Sequence, residues 1–571
     1  MAMTAMAMCA QGAGLAVSGI RGEFRAGQVF LTWREAHLAG DVRLSVHCSA
    51  KPIVSTADVK SAQLLAKGIR PGSARDWWQD PASFEKGTPN DPPVGFVIRT
   101  GQAPLDPSGG LFVHTVTART VGPQYYAVTV ADAGTGEGTT LTPGANTLGA
   151  PVTGRVEQSL PVWQGKGQLP ARGSCEGRPL RLVLHGRGGG ATAGKRHSVT
   201  NCLWFGDADQ GWRASLAFKF RLTVSKDMIT VTPLDRVWIG RAVTESRDAR
   251  DHCPAINTWW YGYHSGITET TDTPEAVVPN YTERYLLALV KWAQNYLGTD
   301  PNQTYITGGS MGGSGTVAMV MHFPEVFAAA YANVPVYSCT RPGTGSAWRI
   351  ECMIGTLKDR KVVTDDGIPV LDYMNGERNM LNATVATPPI FACNGRKDGS
   401  IPWENNPPFY AAAAKARQAF AVYWNNGQHG MRRECPSDAL KWGSIIYKYR
   451  LNESYPVFTN CSDDKDYGNG DAKDGDLIGW INRGLGWANL KDTADEYALT
   501  VTAAHPDMVY PVTVDVTPRR LQRFAAKPGE TLSVRVGDAA PVAVKVDEQR
   551  LFTISGVRVA DAAGTRIRVI R

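Results

Sequence analysis

Apolar and polar positions follow three successive rhythms along the chain. From about Ile20 to Asp132, short runs such as QVFLTW, VRLSVHC, LFVHTVTA and QYYAVTV are separated by Gly, Pro and Asp clusters. That spacing predicts the short strands of a small β-sandwich. From Arg155 to about Cys461 the apolar runs become continuous, and LRLVLHG, MITVTPLD, TYITGG, FAAAYANV, PPIFACNG and AFAVYWN read as buried strands. Between them, Glu283 to Leu297 carries its apolar residues at helical spacing. Strands alternating with helices predict an α/β domain around one mostly parallel sheet. Beyond it, YALTVTAA, PVTVDVTP, TLSVRV and RIRVIR return to alternation, which predicts a C-terminal β domain.

At 571 residues the chain exceeds what one hydrophobic core serves, and three domains are expected. Residues 1–19 read as a residual export signal, since Met1 to Ala16 is small and apolar but lacks Lys and Arg. A disordered tail is the alternative. A secreted or periplasmic location is expected. Residues 20–135 form the predicted β-sandwich, and Trp33 ending one strand with Tyr125-Tyr126-Ala127-Val128 in a late one resembles a fibronectin type III domain. The Gly, Thr, Pro and Ala of residues 136–154 predict a flexible linker. Residues 155–461 form the α/β domain and 481–571 the C-terminal β domain. Between these two lies an acidic, Gly-rich stretch, 462–480. It does not match the D-x-[DN]-x-[DN]-G spacing of a calcium loop in any register, so a solvated loop is expected there and no metal.

Hydrophobic residues make up 43% and charged residues 20% of the chain, within the range of globular proteins. The net charge of +7 is spread over 60 basic and 53 acidic side chains without a basic run, which argues against nucleic acid as a partner. No stretch reaches the roughly 20 apolar residues of a membrane span. Ten cysteines are scattered without a Cys-x-x-Cys pair, so neither zinc nor a redox motif is suggested. Disulfides between Cys339 and Cys352 and between Cys435 and Cys461 are the pairs to expect, with Cys393 a candidate buried thiol.

Candidate chemistry sharpens the reading of the α/β domain. Gly308-Gly309-Ser310-Met311-Gly312 is G-x-S-x-G, set between the strand TYIT and a helix-compatible run. The motif needs that context, because only small residues fit beside a serine lifted on so tight a strand-to-helix turn. A serine hydroxyl requires a base, and the base a carboxylate to hold its tautomer. Asp398 follows the strand PPIFACNG and His429 follows AFAVYWN, in the order serine, acid, histidine. Glu404 is the rival acid. Upstream, His185-Gly186-Arg187-Gly188-Gly189-Gly190 follows LRLVL, where glycines let backbone N–H groups approach an oxyanion. The nucleotide-binding reading of those glycines lacks its downstream partners.

Together these motifs resemble the α/β-hydrolase superfamily, in the group of secreted esterases, polyhydroxybutyrate-depolymerase-like and prolyl-oligopeptidase-like enzymes. The resemblance implies Ser310 as nucleophile, His429 as general acid and base and Asp398 as its orienting acid. It also implies an oxyanion hole of the Met311 N–H with that of Arg187 or Gly188, and no cofactor. Four aromatics within five positions, Trp259, Trp260, Tyr261 and Tyr263, predict either a substrate wall that stacks on a sugar or aryl group, or a local hydrophobic plug. Trp403 would extend the wall. A carboxylic ester hydrolase acting on a small-molecule or polymeric substrate, such as an acylated carbohydrate, an aryl ester or a polyester, is the leading expectation. A serine peptidase shares the same machinery and is the main alternative, weakened by the lack of a propeller-sized N-terminal region. The third is an inactive binding protein.

Overall fold

The computed structural model describes residues 16–36, 42–74, 96–99, 101–132, 136–138, 140–163, 169–186, 199–201, 218–235, 237–238, 255–263, 275–338, 361–429 and 442–571. The chain divides into two compact units, Met1–Leu169 with Arg196–Phe220, and Pro170–Lys195 with Arg221–Arg571.

In the first unit the strands Ala16–Arg25, Gln28–Ala36 and Gly110–Thr115 form a three-stranded antiparallel sheet. A second antiparallel sheet joins Gln63–Ile69, Arg43–Ser49, Gly122–Asp132 and Gly136–Gly138, with Val152–Gly154 on Gly122–Gln124. Phe30, Phe96, Leu111 and Val113 pack together as apolar core. Two expected boundaries move. The first strand already begins at Ala16, inside the expected tail. Residues 136–154 are no flexible linker: Val128 N–H donates to Asn146 O, Leu148 N–H to Tyr126 O, and the fully buried Thr147 hydroxyl to Ile53 O. Their small side chains let the backbone lie close against the sheet, so composition alone misled.

The second unit is built on a mostly parallel sheet of the α/β-hydrolase class. Its site-bearing strands are β1 (Leu180–Leu184), β2 (Ile229–Pro233), β3 (Thr304–Gly309), β4 (Ala329–Asn333), β5 (Ile390–Gly395), β6 (Phe420–Asn425) and β7 (Gly479–Ile481). They lie in the order β7-β6-β5-β4-β3-β1-β2. Neighbours from β6 to β2 are parallel, and β7 is antiparallel to β6. Every residue of β5 and β6 is buried, which explains their largely apolar sequence. Helices α1 (Tyr281–Trp292) and α2 (Met311–His322) precede and follow β3.

The C-terminal strands belong to this same unit. Leu485–Asp492, Glu496–Ala503, Thr565–Ile570, Thr531–Val536 and Val542–Lys545 make one sheet, and Tyr455–Thr459, Val512–Arg519 and Ile554–Val559 another. Tyr497, Leu499, Val514, Phe524 and Ile567 fill the core with which both sheets pack. Tyr455 Oη donates to Thr387 O at 2.8 Å, Arg519 Nη2 to Val385 O at 3.0 Å, and Arg417 pairs with Asp547. The strand at Tyr455–Thr459 means that the β domain starts before the expected boundary at Cys461. Cys461 is itself a buried free thiol in that apolar core, which corrects the expected disulfide with Cys435. Cys393 is buried on β5, with its Sγ 3.7 Å from the Tyr331 hydroxyl, and Cys339 and Cys352 lie outside the described residues. Among the described residues no helix is long and apolar enough to cross a membrane.

Candidate active site

Ser310 sits between the end of β3 and the start of α2, with φ 56° and ψ −124°. A non-glycine residue is strained there, and the surroundings hold it by leaving no room to relax. A Cβ on Gly308 would strike the Gly312 carbonyl, and one on Gly312 would strike the Leu184 carbonyl. The Ser310 N–H donates to Asn333 O at 2.8 Å, which ties the turn to the end of β4. The hydroxyl is thereby presented at the helix N-terminus, where the first N–H groups, Met311 included, lack intrahelical acceptors.

The parallel register brings the other two residues to the same sheet edge. His429 Nε2 lies 2.8 Å from Ser310 Oγ, and His429 Nδ1 lies 2.6 Å from Asp398 Oδ2. The second carboxylate oxygen of Asp398 accepts from the N–H groups of Ser400 and Ile401, at 2.8 and 3.0 Å. Its side chain is 2% exposed and that of His429 is 33% exposed, so the carboxylate is shielded while the imidazole reaches the surface. Glu404, the rival acid, is exposed instead. The acid and histidine turns are laced together: Arg396 N–H donates to Asn425 O and Lys397 N–H to Gly427 O.

Gly186 abuts Ser310, and a Cβ there would come within 3.2 Å of the Ser310 Cβ. The glycine loop thus begins where a second oxyanion donor is needed. Arg187 and Gly188 lie outside the described residues. Burial, with help from the Arg221 charge, holds the His185 imidazole below its ordinary pKa.

The aromatic segment does not form a wall. Trp259, Trp260, Tyr261 and Tyr263 are all buried, Tyr263 completely. Trp259 and Trp260 both take positive φ, 52° and 64°, and Asp235 at the end of β2 holds them so. Its carboxylate accepts from Thr258 N–H at 3.0 Å, from the Thr258 hydroxyl, and from Trp260 N–H at 3.2 Å. Burial pushes the Asp235 carboxyl up to about 6 despite those bonds. The Trp260 ring occupies the space that Gly315 leaves on α2, and its Nε1 donates to His185 O at 3.3 Å. The segment is therefore a plug between α2 and the end of β1 at His185. Trp403 is also buried, packed against Tyr410 and Trp424 with the Arg396 guanidinium 4.9 Å from its ring centre. Asp235 and Arg396 went unnoticed in the sequence, where the only signal was an ionisable residue within two positions of the end of a buried strand.

Residues 281–449 match the model of the prolyl oligopeptidase family, a span that contains Ser310, Asp398 and His429. Among solved structures, the apo form of Thermogutta terrifontis esterase 2 aligns at 16% identity, with 48% of this chain and 81% of that chain covered and a TM-score of 0.26. The propionate-bound esterase aligns at 17% identity over the same shares, also with a TM-score of 0.26. No curated protein matches. With its α/β-hydrolase sheet and this family match, the central domain is a serine hydrolase.

Proposed function

We propose that the protein is a carboxylic ester hydrolase that works through an acyl-enzyme on Ser310. The observation that carries this reading is the hydrogen-bonded chain from Ser310 Oγ through His429 to Asp398. Ser310 Oγ attacks the ester carbonyl while His429 Nε2 takes its proton. The oxyanion forms against the Met311 N–H and a second donor from the Arg187–Gly188 segment, each contributing about 3 kcal/mol of transition-state stabilisation. His429 then returns the proton to the departing alcohol, and water repeats the sequence to release the acid. Asp398 holds the Nδ1–H tautomer and stabilises the imidazolium.

Acylated carbohydrates, aryl esters and polyesters are the substrate classes we favour, by analogy with hydrolases that carry β domains. On the same reading the protein is exported, and its N-terminal pair of antiparallel sheets is of fibronectin type III kind. The family match keeps a second reading in view, cleavage of proline-containing peptides. Rates on short-chain p-nitrophenyl, feruloyl and acetyl-sugar esters, set beside proline peptide amides, separate the two. Ester turnover well above amide turnover is expected; peptide cleavage without ester turnover would overturn the assignment.

A further inference from the structure

Arg396 stands two residues before Asp398 and is 3% exposed, yet among the described residues no carboxylate meets it. Its guanidinium donates to three backbone carbonyls, Nη1 to Asp476 O at 2.9 Å and Nη2 to Ala472 O and Asp474 O, both at 2.6 Å. All three carbonyls come from the acidic stretch that its composition marked as a solvated loop. Several carboxylates of that stretch turn back on its own amides. Asp466 accepts from Gly468 N–H, Asp474 from Asn469 N–H, and Asp476 from Asp466 N–H. With the N–H groups so occupied, the carbonyls are left to converge on Arg396. A buried cation is costly unless it is bonded, and although Nε has no hydrogen-bond partner, the loop's carbonyls satisfy both terminal nitrogens and make an arginine tolerable beneath the acid turn.

The same loop also grips the histidine strand. Asp476 O accepts a second bond, from Trp424 Nε1 at 2.7 Å, and Trp424 lies on β6, which leads into the His429 turn. One carbonyl therefore ties the strand before the acid to the strand before the base. At its other end the loop is rooted in the C-terminal β domain. Ser462 N–H donates to Thr513 O at 2.9 Å, Thr513 N–H donates back to Ser462 Oγ, and Cys461 is buried in that domain's core. Asp463 pairs with Arg483, whose guanidinium lies 3.3 Å from the centre of the Trp480 ring.

We infer that Arg396 is a positioning residue for the catalytic acid, and that the C-terminal β domain, through its loop 462–477, holds the Asp398 and His429 turns in register. The inference rests on the reading of Asp398 as the triad acid. The 2.6 Å contact between the two residues depends on the relative height of the two turns, and a displacement of about 1 Å at such a contact costs about 100-fold in rate.

The test is a double-mutant cycle on the full chain, with p-nitrophenyl acetate as substrate and fluorophosphonate titration to count competent serines. Arg396→Gln is expected to lower kcat per titrated serine about 10- to 100-fold with KM nearly unchanged. Arg396→Lys should recover part of that loss. In the Asp398→Asn background, Arg396→Gln should cost less than about twofold, because the residue acts only through the acid. If it costs as much there as in the intact enzyme, or if kcat per titrated serine is unchanged, the inference is overturned. Full activity of Asp398→Asn alone would instead overturn the triad assignment. Should Arg396→Gln fail to fold, Gly475→Ala reads the same link from the loop side. Its φ is +77°, and a Cβ there would lie 2.5 Å from Gly468 N.

Discussion

The two halves of the site are held in place by different means. Ser310, the proposed nucleophile, is fixed by close packing around its own turn: it owes its strained backbone to glycines within two positions on either side and to the carbonyls of Leu184 and Asn333 at the ends of the strands flanking β3. Asp398 and His429, the proposed acid and base, are fixed through longer segments. Their turns are joined through Asn425 and Gly427, and are braced by carbonyls of Ala472, Asp474 and Asp476, some 75 to 80 positions away in sequence from Arg396. A local device is sensitive to single atoms added beside it. A distributed one is sensitive to the register of whole segments.

The largest expected effect on the distributed half is Asp398→Asn, which leaves the geometry but favours the wrong imidazole tautomer. It should lower kcat for an ester about 10³- to 10⁴-fold, whereas Glu404→Gln should stay within about twofold of the parent enzyme. Comparable losses from both in steady-state kinetics would mean that the acid has been misassigned. On the local half, Gly312→Ala places a methyl against the Leu184 carbonyl. A turnover loss of about 100-fold follows from moving Ser310 by about 1 Å, accompanied by about 1–3 kcal/mol of destabilisation from overpacking. Normal kinetics in this variant would show that the elbow is not as tight as described.

The smallest effect concerns the aromatic plug against α2 and His185. The folded Asp235 carboxyl, raised to about 6 from 3.8, holds its proton more tightly than the unfolded one. Its protonated form favours the fold at low pH, and that contribution, about 2–3 kcal/mol, is lost as pH rises through about 6. Asp235→Asn should flatten this part of the stability profile in urea melts between about pH 4 and pH 7. An unchanged slope would assign it to other groups.

The same contrast explains what could be read from the sequence. The elbow was legible because its motif is contiguous: a strand, a run of glycines and a helix. The order of Asp398 and His429 after two apolar strands was legible for the same reason, but the choice between Asp398 and Glu404 needed the register of β5 against β6. The segment from Trp259 to Tyr263 left wall and plug open, since aromatic density does not say which way the rings face. The residue that turns them inward, Asp235, lies on another strand end, and the room for Trp260 comes from Gly315. The acidic stretch and residues 136–154 were misread by composition, which reports side chains. In both, the backbone makes the decisive contacts.

The most direct test of the central claim is covalent. After reaction with a fluorophosphonate, intact-mass and peptide mass spectrometry should find a single adduct on the peptide containing Ser310. In Ser310→Ala both the adduct and ester turnover should disappear. An adduct on another residue, or ester hydrolysis that survives in Ser310→Ala, would contradict the account.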